Sequence, residues 1–140
     1  LLSRGLGDVY KRQSRCCAMP MANSMAGTSM RTELQQALAQ AFAEGRQALE
    51  RNDLDAAYAW LERAHILSQR MPLRHAESHW LMLRAGWQVR DWREVAGQLP
   101  RILAALLFSR IWVPLGNTGR ARVSAFQPMP LSEELKRLLV

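Results

Sequence analysis

Apolar residues recur every three or four positions along most of the chain, and this spacing predicts amphipathic helices. A first helix is predicted at about 32–51, because Thr32 and Gln35 form a capping box ahead of the apolar run. Asn52 and Asp53 end this helix, and Asp53 caps a second one. The second helix has one apolar stripe, made of Leu54, Ala57, Leu61, Ala64 and Leu67.

Two more helices are predicted after Pro72, which closes the turn behind the second helix. The third helix is expected over Leu73–Arg90, and Asp91 is expected to cap the fourth. Pro100 lies inside the fourth helix and is expected to kink it or split it. The positions expected to face inward are Ala76, Trp80, Leu83 and Trp87 on the third helix, and Trp92, Val95, Leu99, Ile102, Leu103 and Leu106 on the fourth.

The pattern changes after Pro114, where a turn sequence replaces the helical spacing. Arg120–Phe126 is predicted to be extended, and Ser132 starts a short terminal helix. The turn sequence has two interpretations: a tight turn, or a nest whose backbone N–H groups hold an anion next to Arg120 and Arg122. Its residues are Gly116, Asn117, Thr118 and Gly119.

The four predicted helices contain an internal repeat. The stretch that begins at Asn52-Asp53 aligns with the stretch that begins at Arg90-Asp91, at an offset close to the length of a tetratricopeptide repeat. The alternative is an ordinary pair of antiparallel hairpins. The predicted fold is therefore all-α: two stacked antiparallel helical hairpins, tetratricopeptide-like, followed by a C-terminal turn, an extended arm and a short helix.

Composition narrows the class of protein. The chain has 140 residues, of which 49% are hydrophobic and 22% charged, and this is typical of one soluble globular domain. The apolar run Ile102–Phe108 is too short for a membrane span. The net charge of +7 comes mostly from arginines interspersed along the chain, whereas nucleic-acid binders cluster their charge, so no nucleic-acid partner is expected.

The N-terminal segment differs from the remainder. Residues 8–13, Asp-Val-Tyr-Lys-Arg-Gln, resemble a translated sequencing adapter, as in a metagenomic read. We therefore predict an artefactual or disordered segment at 1–29 and one helical domain at 30–140. Both cysteines, Cys16 and Cys17, lie in the first segment. A domain without cysteine fits a reducing compartment, and a cytoplasmic location is expected.

The histidines form the candidate site. Glu62 and His65 share a helix face at i, i+3, and His75 and His79 share the next at i, i+4. The hairpin turn is expected to place His65 level with His79, so that the Glu62 carboxylate and these two imidazoles converge between the second and third helices. His75, nearer the loop, is a fourth candidate ligand. Such ligands with an open position suit zinc, iron(II), cobalt or nickel.

Other interpretations stay open. Buried histidines in a hairpin often only satisfy each other or a backbone carbonyl. An enzyme would need a general base, and only Glu62 or Glu77 is available, so no catalytic residue is assigned and catalysis is not the favoured reading. The five tryptophans, Trp60, Trp80, Trp87, Trp92 and Trp112, are expected in the core, and an exposed one would mark a docking surface.

Several motifs resemble a bacterial domain-of-unknown-function family, number 3703, over about residues 30–139. They are Leu61–Gln69, His75 with His79, Trp80–Trp87, Pro114–Gly119 and Pro128–Pro130. The resemblance implies no established activity. It implies an association with heavy-metal efflux genes, which favours the metal interpretation.

Two functions follow as expectations. The first is a binding module that docks a protein partner or a second copy of itself. The second is a metal-binding accessory protein that uses the Glu62, His65 and His79 hairpin site in efflux or sensing.

Overall fold

The computed structural model describes residues 21–140, and in this range the fold is all-α, as predicted. The adapter-like residues, Cys16 and Cys17 lie outside the described residues. By contacts the chain divides into two units, residues 1–33 and residues 34–140, and the second contains the core and the site. The helices are α1 (Met21–Glu50), α2 (Leu54–Ser68), α3 (Pro72–Gln88), α4 (Trp92–Phe108) and α5 (Glu133–Leu139).

The beginning of α1 differs from the prediction. The helix begins at Met21, so Thr32 lies inside it and the predicted capping box is wrong. The Thr32 hydroxyl instead donates to the carbonyl of Thr28 at 2.9 Å, a bond to the preceding turn that threonine forms within a helix. The division at residues 29 and 30 stays a prediction.

The core lies where α1, α2 and α3 meet. The predicted stripe of α2 is confirmed at its centre, since Leu61 and Ala64 are fully buried. Gly45 of α1 permits close packing here, because a Cβ at this position would lie 2.9 Å from Leu61 Cδ2. The buried cluster consists of Leu38, Ala41, Phe42, Ala48, Leu49, Ala57, Leu61, Ala64, Leu67, Leu81, Met82 and Ala85.

The turns between paired helices repeat as the sequence predicts. Asn52 and Arg90 both adopt a left-handed φ of 58°, and each precedes an aspartate N-cap. The Asp53 side chain accepts from the N–H of Ala56, and Asp91 accepts from the N–H three residues later in the same way. The hairpin turns therefore have the same geometry, while the tetratricopeptide likeness stays a prediction.

Helix α4 reverses the predicted orientation of its faces. Glu94 and Gln98 are fully buried, whereas Leu99 and Leu103 are more than half exposed. The expected inward positions on α4 are therefore wrong for Trp92, Leu99, Leu103 and Leu106. The physical reason is hydrogen bonding. Buried Gln98 bonds to Glu94, His79 and the carbonyl of Gly119, and these bonds determine which face of α4 turns inward. Pro100 lies inside α4 without splitting it.

The tryptophans also depart from the prediction. Trp80, Trp87, Trp92 and Trp112 each leave about half or more of their surface exposed. Trp60 packs against the core, as expected. Trp87 and Trp92 contact each other edge to face, with centroids 5.1 Å apart, at the turn between α3 and α4.

The C-terminal part wraps over the helices through turns. The predicted extended arm is wrong: Val123 N–H bonds to the carbonyl of Arg120, and Gln127 N–H to that of Ser124. Ser132 caps α5 as predicted. Arg63 on α2 pairs with Glu134 at 2.7 Å and anchors α5. None of the helices in residues 21–140 has the length and apolarity that a membrane crossing requires.

Candidate metal centre

Three buried histidines converge between α2, α3 and α4. His65 comes from α2, and His75 and His79 come from successive turns of α3. One ring nitrogen from each lies within 4.8 Å of one from each of the others. The hairpin turn at Met71 and Pro72 brings these helices together, so residues distant in sequence meet at one point.

The Nδ1 atom of His65 carries a proton. It lies 2.9 Å from the carbonyl oxygen of Asn117, which can only accept a hydrogen bond. Since a neutral imidazole has one N–H, the Nε2 atom of His65 presents a lone pair.

The Nδ1 atom of His75 lies 2.6 Å from the hydroxyl oxygen of Ser109 at the end of α4. In one tautomer the hydroxyl gives its proton to the carbonyl of Ala105 and accepts from Nδ1–H, which leaves a second lone pair on His75 Nε2. In the other tautomer the hydroxyl donates to Nδ1, and Nε2 carries the proton.

The third histidine, His79, is oriented by Gln98. The Gln98 amide nitrogen donates to Glu94 Oε1 at 2.7 Å and to the carbonyl of Gly119 at 3.0 Å. These acceptors determine how the amide is oriented, and its oxygen accepts from His79 Nδ1 at 2.7 Å. Outer groups that hold Nδ1–H and leave Nε2 free are typical of metal-ligating histidines.

Two ring nitrogens of the cluster face each other. His75 Nε2 and His65 Nε2 are 2.8 Å apart. In the tautomer with a proton on His75 Nε2, an N–H···N hydrogen bond joins them. In the tautomer with both Nδ1 atoms protonated, two lone pairs face each other, and this is the form that binds a cation.

Burial keeps these rings neutral. Removal from water, with the neighbouring His79 and His75 adding to it, holds the pKa of His65 well below its usual value. Burial also lowers the pKa of His75 to about 4 and that of His79 to about 3. At neutral pH the three nitrogens are therefore available as ligands without loss of a proton.

Glu62 does not join the three histidines. It pairs with Arg120 at 3.3 Å, and burial raises the pKa of its carboxyl. Arg120 also lies 3.3 Å from buried Glu94, and stacks over the ring of Tyr58 at 3.4 Å. Glu62 thus belongs to a group of charged side chains with Arg120 and Glu94, and Glu94 in turn bonds to Gln98.

The Gly-Asn-Thr-Gly turn packs directly on the cluster. Gly119 has φ +81°, and a Cβ there would lie 2.8 Å from His65 Nε2. The Asn117 side chain holds the turn together through the carbonyls of Ser124 and Gln127 and the N–H of Gly119. The N–H groups of Asn117 and Gly119 are both bonded within the turn, so neither is available to the anion nest that the sequence suggested.

Sequence reasoning missed the groups that orient the histidines. Glu94, Gln98 and Ser109 lie on one side of α4, at helical spacing, opposite its leucines. The helical spacing of these polar residues is present in the sequence. The apolar residues of α4 are more numerous, however, so periodicity assigned their face to the core instead.

The family comparison agrees with the motifs. The model of the family described as "Protein of unknown function (DUF3703)" matches residues 32–139. The chain belongs to this family. The match contains all three histidines and the turn that packs on them. No curated protein and no solved structure matches the chain.

Proposed function

We propose that this small helical protein binds one divalent transition-metal ion through His65, His75 and His79. The observation that carries the proposal is the convergence of three buried imidazoles, one nitrogen of each within 4.8 Å of the others, with His65 Nε2 and His75 Nε2 2.8 Å apart. A tetrahedral ion at normal Zn–N distances of about 2.0–2.1 Å holds its nitrogens roughly 3.3 Å apart. The 2.8 Å pair must therefore open by about half an ångström, and the wider separations, up to 4.8 Å, must close toward the same distance.

The donor set indicates the class of metal. Three imidazole nitrogens suit zinc, cobalt, nickel or iron(II), and a set of three protein ligands leaves a position open. The family resemblance points toward metal efflux or sensing, in which such a protein would act as an accessory that carries or detects the ion.

Cobalt(II) titration of the full chain tests the proposal. Cys16 and Cys17 are replaced by serine throughout, because thiolates bind these metals themselves. We expect about one cobalt ion per chain with the visible absorption of a four-coordinate site. His75→Gln and His79→Gln should each weaken binding at least a hundredfold, whereas Glu62→Gln, outside the cluster, should retain it.

The Glu62 variant is the matched control, since sequence reasoning alone made Glu62 a ligand. Circular dichroism checks that each variant is folded. The proposal is wrong if folded protein takes up no cobalt at micromolar concentration, or if binding survives both histidine replacements.

A second candidate function is self-association through α4. Its exposed stripe contains Leu99, Leu103 and Leu106 and no charged side chain, so it offers nothing to a charged partner. An uncharged apolar stripe can pair with its own copy in a two-fold contact. This supports a homodimer in which the α4 stripes of two copies pack together. Leu103→Ser tests it, because this variant should shift the protein toward monomer.

A further inference from the structure

A cavity of about 370 Å³ opens beside the three histidines. The ring of each histidine forms part of its wall, so a fourth ligand of a bound ion would enter from this side. The rest of the lining is mainly apolar, including Ala104, Ala105, Phe108, Ile111, Trp112, Val113, Pro114 and Phe126. Trp112 and Phe126 stack on each other with centroids 6.0 Å apart.

Charge determines what the open position accepts. A divalent ion on three neutral imidazoles keeps both of its positive charges, because no carboxylate lies among the three ligands. The one charged side chain in the described lining is Arg101, another cation. Its guanidinium is held by the carbonyls of Gly97 and Val123 at 3.0 and 2.7 Å, so it stays at the cavity wall.

The buried carboxylate nearby is already compensated. Glu94 lies against Arg120 and accepts from the N–H of Ala121 and from Gln98. An uncompensated charge of this size is costly away from water, so the fourth ligand is favoured when it is an anion. The apolar walls in turn favour a hydrocarbon group behind the anionic head.

We infer that the cavity binds a small monoanion with an apolar tail, such as a monocarboxylate, whose head group completes the coordination of the ion. The inference rests on the proposed metal site. It adds that the site is a receptor for an amphipathic anion, with the metal and Arg101 for the head and the aromatic wall for the tail.

The test uses the cobalt-loaded full chain with both cysteines replaced by serine. Acetate, butyrate and hexanoate are titrated while the visible cobalt absorption is followed. Each buried methylene should tighten binding about fourfold, so each step in the series should gain about fifteenfold. Phe126→Ala should flatten this gain and leave cobalt affinity unchanged, whereas Leu73→Ala, outside the cavity, should alter neither.

The outcomes separate this inference from the proposed function. Cobalt bound without any spectral change at millimolar anion overturns the inference and leaves the metal site standing. Equal affinity for the three carboxylates also overturns it, because the cavity then contributes nothing. Absence of a cobalt spectrum overturns both together.

Discussion

Gly119 shows how a single residue controls the histidine cluster. Its φ of +81° lies in the region that side chains other than glycine rarely adopt, and its missing Cβ is the space that the His65 ring occupies. The same residue accepts from Gln98 through its carbonyl. One glycine thus sets the position of His65 and helps to orient the amide that holds His79.

We expect Gly119→Ala to destabilise the protein by about 1–3 kcal/mol, because the left-handed backbone is strained and the new methyl group meets His65. Cobalt affinity should fall as well, since the ring must move. Chemical denaturation and the cobalt titration measure the two effects. Gly27→Ala is the control: a Cβ there meets nothing within 4 Å, and alanine favours the helix. Unchanged stability and affinity in Gly119→Ala would contradict this account.

Helix α4 shows how polar bonds can outweigh apolar burial within one element. A leucine stripe normally faces the core, yet the buried residues of α4 are Glu94, Gln98 and Ala105, and Ser109 is buried at its C-cap. Glu94 and Gln98 bond to each other, Gln98 also bonds to His79, and Ser109 bonds to His75. Rotating α4 would bury the leucines but leave the buried histidines without these partners, at about 1–3 kcal/mol for each buried group.

The exposed stripe leads to a prediction about association. Leu103 is 63% exposed, so Leu103→Ser should change the free energy of unfolding of the monomer by less than about 0.5 kcal/mol. It should shift a concentration-dependent dimer toward monomer in sedimentation velocity. Leu73→Ser, at a residue that is 78% exposed at the start of α3, is the matched control and should leave the dimer intact. A parent protein that stays monomeric at high concentration would disprove the dimer.

At the scale of the whole molecule, the histidine cluster links stability to pH. Three rings are buried between helices that the remaining core holds together, and their pKa values in the folded protein are depressed. A histidine of this kind binds protons more readily when the chain unfolds. The contribution of such a histidine to the free energy of unfolding is complete above its pKa of about 6.5 in the unfolded chain. It is lost as the pH falls toward the lower pKa of the folded protein.

The metal-free protein should therefore lose stability between about pH 6.5 and about pH 4, by up to about 1.4 kcal/mol per pH unit for each histidine. Arg101 adds to the effect, since its charge also opposes protonation of His65 and His79. Glu62, whose pKa is raised, works in the opposite sense at the acid end. Urea unfolding in chelator at several pH values measures the slope, and His79→Gln should reduce it. A flat profile over this range would contradict the prediction.

Local features of the sequence were enough to predict the order of the helices, although not the start of α1 or the turns over residues 120–126. Helical spacing, the aspartate caps at Asp53 and Asp91 and the glycine-rich turn are local features, and local backbone physics is enough to interpret them. The sequence also brought the three histidines to one hairpin, because their spacings place them on facing sides of adjacent helices.

Which side chains meet in the site depends on how the helices pack. The tertiary structure replaced Glu62 with His75 in the cluster and placed Glu62 against Arg120, and it turned the polar face of α4 inward. It also brought the carbonyl of Asn117 to within hydrogen-bond distance of His65 Nδ1. These outcomes depend on hydrogen bonds between segments far apart in the chain, whereas periodicity reports only how apolar each face of a helix is.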